Sequence, residues 1–181
     1  MNKELKNILN SKEKIEEMEL RYMKEINFFI KLTKEKKLRL VEPSEELKKS
    51  YLEKSESNMV SAKILLKNSR LEEAVSLTYY SMYNLLMALF FKSRIKSENH
   101  LATTSLLEKI FGLDNSFVIF AKKERVDKQY YVDFKITKKD VEILIQKAED
   151  FNLNLFDFIS KLTNEKIKNY RDKFINLINF N

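Results

Sequence analysis

The segment Arg94-Ile95-Lys96-Ser97-Glu98-Asn99-His100 is the only constellation in the chain with chemical potential. An imidazole titrates near neutral pH and can take or give a proton. A guanidinium stays positive throughout and presents planar donors to an oxyanion. Arg94 and His100 fall near the expected junction of two helices. Each also has a plainer structural reading, Arg94 as a cation at a helix C-terminus and His100 as a first-turn residue of the next helix.

Composition narrows the chemistry that is left. The chain of 181 residues has Cys 0, which removes disulfides, zinc ribbons and thiol catalysis together. His 1 removes every site that needs two imidazoles from one chain, and no Asp-x-Asp cluster suggests a carboxylate magnesium site. No metal and no other cofactor is therefore expected. Typical usage would give roughly 13 glycines and roughly 9 prolines; this chain has Gly 1 and Pro 1. Gly-rich phosphate loops, strained nucleophile turns and most multi-stranded β folds need residues that accept positive φ, so these classes are excluded. With 44% hydrophobic and 34% charged residues, an all-α domain remains.

Charge and hydropathy add three expectations. Lys+Arg 34 against Asp+Glu 27 gives +7, which favours an anionic partner such as RNA, although solvated helix faces carry the same mixed pattern. Met1 to Lys14 is polar and has no apolar signal-peptide core. Ala74 to Phe91 carries no charge and is long enough for a membrane helix. It also holds Ser76, Thr78, Tyr79, Tyr80, Ser81, Tyr83 and Asn84, so a buried central helix is the better reading. The protein is expected to be cytoplasmic, with no membrane partner.

The elements that must position Arg94 and His100 read as helices. Leu5, Ile8, Leu9, Ile15, Met18, Tyr22, Ile26, Phe29 and Ile30 form one apolar stripe on a long helix from Lys3 to Lys37. Pro43 breaks the chain, and Ser44 with Glu45 and Glu46 reads as a helix start. Asn68-Ser69 ends that helix, and Ser69-Arg70-Leu71-Glu72 reads as a capping box for the next. That next helix is apolar on nearly all sides through Leu71, Val75, Tyr79, Met82, Leu86 and Phe90, which suits the centre of a bundle. Lys92 to Asn99 reads as the helix end and a connection, and Asn99 as the cap of a helix from His100 to Phe111, closed by Gly112. Asp114 or Asn115 starts a short helix, and Arg125 to Ile136 reads as an aromatic-rich loop. Thr137 to Asp140 opens a further helix and Thr163 or Asn164 caps the last.

Ser69 to Phe111 resembles the HEPN family of small helical bundles. The resemblance rests on Ala74, the run Tyr79-Tyr80-Ser81-Met82-Tyr83, the Ala88-Leu89-Phe90 helix end, the short basic turn and then His100. Arg125 with Tyr130 and Tyr131, and Ala148-Glu149-Asp150-Phe151, resemble the later half of the pattern. It covers roughly Glu45 to Phe158, leaving an N-terminal arm at 1–42, a bundle at 43–160 and a C-terminal helix at 161–181. The fold implied is an antiparallel HEPN-like helical bundle with an added long N-terminal helix and a C-terminal helix.

Many members of the family are metal-independent endoribonucleases built on an Arg, four to six residues, then His, and Arg94 and His100 fit with five residues between them. The resemblance implies that His100 takes the proton of a ribose 2′-hydroxyl and Arg94 stabilises the charge building on the phosphate. Lys92 and Lys96 would contact phosphates, and Tyr130 or Tyr131 would stack on a base. It also implies a homodimer that brings two such pairs into one cleft, acting beside a small nucleotidyltransferase in a toxin–antitoxin pair. The sequence departs from frequent family features at Ile95, at Ala102, and at Arg94 itself, where the branch it most resembles often carries Gly. The alternative is a non-catalytic dimeric module that binds the nucleotidyltransferase or a nucleotide.

Overall fold

Ser44 turns the chain into its first bundle helix by accepting a hydrogen bond from the Leu47 N–H at 3.2 Å, as its place after Pro43 predicts. The computed structural model describes residues 3–130 and 136–179, with side chains over 17–126 and 136–179. Among the described residues the order is α1 (Lys3–Lys34), β1 (Leu38–Leu40), α2 (Glu45–Lys67), α3 (Leu71–Lys92), β2 (Ile95–Ser97), α4 (His100–Phe111), α5 (Ser116–Tyr130), α6 (Lys138–Ser160) and α7 (Asn164–Ile178). The protein is an all-α helical bundle with one small two-stranded ribbon.

α3 is the central helix. Tyr79, Met82, Leu86, Leu89 and Phe90 are fully buried on it, and α2, α5 and α6 pack around it. It is long and apolar enough to cross a membrane, but most of it lies inside the bundle. α2 and α3 form a hairpin joined by two small buried polar residues: Ser55 Oγ donates to the Ser81 carbonyl and Ser81 Oγ to the Ser55 carbonyl, both at 2.8 Å. Each hydroxyl satisfies the other helix's backbone, so a buried polar pair costs little. α6 opens with the capping box expected of Thr137 and Asp140. α7 is capped by Thr163.

Phe29, Leu32 and Leu38 from the N-terminal segment, and Ile167 and Phe174 from α7, join the same continuous core as α3. The ribbon fastens this arrangement. β1 and β2 run antiparallel with Leu38 opposite Ser97, Arg39 opposite Lys96 and Leu40 opposite Ile95.

Four local expectations are corrected. The stretch Lys92 to Asn99 is not only a connection, because Ile95–Ser97 pairs with the segment before Pro43. A three-residue strand has no periodicity long enough to read in sequence. Ser69 does not cap α3, because the end of α2 uses it first. Ser69 has φ 59, with its N–H on the Leu66 carbonyl and the Arg70 N–H on the Leu65 carbonyl. That is a left-handed helix stop, incompatible with the extended backbone of an N-cap. Arg70 becomes the N-cap and makes no side-chain capping bond.

Arg125 to Tyr130 is helix rather than loop, continuing α5; residues 131–135 of the expected loop lie outside the described residues. Val118 and Ala121 are fully buried, and Lys122 and Arg125 extend the same face. Charged residues on a buried face hid the helical period. Finally, scarce glycine does not prevent positive-φ turns: Lys36, Ser69 and Arg94 adopt φ 58, 59 and 58, and Gly112 adopts 68.

Candidate functional site

The Asn99 side chain starts α4 by accepting from the Ala102 N–H at 3.0 Å, which sets His100 in the first turn. Tyr79 and Tyr83 lie one helical turn apart on α3 and face it. The Tyr83 and His100 rings stack with centroids 3.9 Å apart and planes 3° from parallel. The Tyr79 hydroxyl lies 2.9 Å from His100 Nδ1. From the third side, α5 brings Lys122 and Arg125, three residues apart and hence on one face. The Arg125 guanidinium lies over the Tyr80 ring at 4.8 Å and the Tyr79 ring at 5.6 Å.

The electrostatics follow from this enclosure. Burial depresses the His100 pKa below its ordinary 6.5, and the Lys122 and Arg125 charges depress it further. At neutral pH the imidazole is therefore uncharged. Burial, and then the Arg125 charge, lower the Lys122 ammonium from its ordinary value. Burial chiefly raises the Tyr79 hydroxyl, with Tyr83 adding to it, so the phenol keeps its proton. The result is a neutral imidazole, a buried phenol and two neighbouring cations, an arrangement that suits an oxyanion. Among the described residues no group of three or more His, Cys, Asp or Glu side chains gathers as a metal site.

The sequence candidates are distributed unevenly around this centre. His100 is in it. Arg94 occupies the left-handed turn after α3, its carbonyl accepting from the Val41 N–H at 2.9 Å. Among the described residues no hydrogen bond or ion pair joins its side chain to His100. Lys92 pairs with Glu45 at 3.7 Å and Lys96 with Glu98 at 2.7 Å. Tyr130 ends α5, its side chain outside those described, and Tyr131 lies outside the described residues. Lys122 was missed altogether, and Arg125 entered only through the family resemblance. Their three-residue spacing is the signal, legible once α5 is recognised as a helix.

The HEPN domain model matches residues 48–153, from the start of α2 through most of α6, and so contains Tyr79, Tyr83, His100, Lys122 and Arg125. No curated protein matches the chain. A match over well more than half the length, on a helical bundle with this connectivity, shows that the chain belongs to the HEPN domain family.

Proposed function

We propose that the protein binds RNA at the face built by His100, Lys122 and Arg125, with a backbone phosphate held between the two cations and the imidazole. Membership in the HEPN family supports a nucleic-acid-related or ribonuclease-type role at the level of the family. The observation that carries the reading to this face is that Lys122 stands beside Arg125 and a neutral His100, and makes no ion pair among the described residues. Lys92 and Lys96, by contrast, are already neutralised by Glu45 and Glu98.

The test is the binding of labelled single-stranded RNA across a salt series. Affinity should fall steeply with salt, and Lys122→Gln should weaken binding and reduce the salt slope by about one. Salt-insensitive binding, or none at low salt, overturns the reading.

A second reading, metal-independent cleavage at the same face, is supported by the neutral state of His100, since a neutral imidazole can accept the ribose 2′-hydroxyl proton. The 2′-oxygen then attacks phosphorus, the 5′-oxygen leaves and takes up a proton, and a 2′,3′-cyclic phosphate results. Pure protein in EDTA that cleaves RNA, with cleavage lost in His100→Ala, establishes this reading. RNA bound but uncleaved leaves a binding module.

In either reading the protein works as a homodimer beside a nucleotidyltransferase. The dimer is supported by apolar surface on α1, where Met18 is 71% exposed and Leu20, Tyr22 and Met23 are also exposed. A monomer by light scattering at micromolar concentration removes it.

A further inference from the structure

The hydrogen bond between Tyr79 and His100 has a direction, and the burial of Tyr79 sets it. Tyr79 is 0% exposed, and its hydroxyl has one hydrogen-bond partner among the described residues, His100 Nδ1 at 2.9 Å. A phenol has one proton to place. If Nδ1 carried hydrogen and the phenolic oxygen accepted it, the Tyr79 O–H would be left unsatisfied where bulk water does not reach. An unmade bond from a buried donor costs its full desolvation penalty. If the phenol donates instead, its proton meets the Nδ1 lone pair and both groups are satisfied.

The ring has two nitrogens, and in the neutral form one carries the hydrogen. With Nδ1 accepting, that hydrogen is on Nε2. We propose that Tyr79 is a positioning residue that fixes His100 as the Nε2–H tautomer, so that the imidazole meets a phosphate oxygen as a neutral hydrogen-bond donor. This rests on the RNA-binding reading above and decides between its two forms. A general base needs a lone pair on the nitrogen that faces the substrate, and Nε2–H has none. Lys122, Arg125 and His100 then make a three-donor phosphate cradle, in which Tyr83 holds the ring plane by stacking against it.

One histidine per chain makes the test unambiguous, because long-range 1H–15N correlation spectra contain a single imidazole. The full-length protein at slightly alkaline pH should show Nε2 with the shift of a protonated ring nitrogen and Nδ1 with that of an unprotonated one. The reverse assignment overturns the proposal, and this measurement needs no variant. Tyr79→Phe, checked by circular dichroism for intact helix, should move both shifts towards the averaged values of a freely exchanging imidazole; unchanged shifts also overturn it. Adding single-stranded RNA to the wild-type protein separates the two ideas. An Nε2–H ring in a protein that ignores RNA leaves the tautomer standing and removes the RNA reading. RNA binding by a protein with Nδ1–H removes the tautomer alone.

Discussion

The Tyr83 ring covers one face of the His100 imidazole at 3.9 Å, nearly parallel to it, with one ring carried by α3 and the other by the first turn of α4. That cover strips water from the face of any imidazolium that would form, consistent with burial as the main cause of the depressed His100 pKa. Lys122 and Arg125 add their charges to the same effect. Following the single imidazole by NMR across pH should give a midpoint below 6.5. Lys122→Met should move it part of the way back, with most of the depression remaining because burial is the larger cause. An unchanged midpoint would separate Lys122 from the site.

The same group links stability to pH. A histidine whose folded pKa lies below its unfolded value is fully accommodated above the unfolded value of 6.5. As pH falls through 6.5, the unfolded chain takes up the proton first, and folding loses stability until pH passes the folded pKa. Melting temperatures from pH 7.5 down to pH 5.0 should therefore fall more steeply for the wild type than for His100→Gln. Parallel curves would mean that His100 keeps an ordinary pKa.

Leu86 tests the central place of α3. It is 0% exposed and belongs to the continuous core. Leu86→Ala should cost about 2–5 kcal/mol in urea unfolding, the usual range for a leucine removed from a packed interior. A cost indistinguishable from zero would mean that α3 is not the packing centre.

Much of this bundle was legible in the sequence for identifiable reasons. α3 was readable because an all-round apolar run has few other homes, and Ser44, Asn99, Thr137 and Thr163 mark helix starts by chemistry that acts within three residues. His100 was readable because it is the one imidazole. The partners of His100 were harder to read, because contacts with α5 depend on how helices pack rather than on local spacing. Arg94 enters through the family's spacing of an Arg and a His, and its backbone forms the turn into β2. The two cations that α5 brings to His100 come from more than twenty residues away. The ribbon was missed because β1 and β2 have three residues each and their pairing spans most of the first hundred residues.

The left-handed turns give the last prediction. Arg94 and Ser69 hold φ 58 and 59, where a side chain with a Cβ pays a steric cost of about 1–2 kcal/mol and glycine pays none. Glycine also frees the unfolded chain, which returns about 0.4–1 kcal/mol of that gain. Arg94→Gly and Ser69→Gly should each stabilise the protein by about 0.5–1 kcal/mol, read from the urea midpoint. Gly112→Ala should destabilise by a similar amount; at φ 68 a new Cβ meets nothing within 4 Å, so the backbone conformation alone is at stake. Arg94→Gly carries a second readout. With the phosphate site on Lys122, Arg125 and His100, RNA affinity should fall by no more than the small loss that any removed surface cation brings. Loss of RNA binding or cleavage in a protein made more stable would instead assign the functional cation to Arg94, and the cradle on α5 would have to be given up.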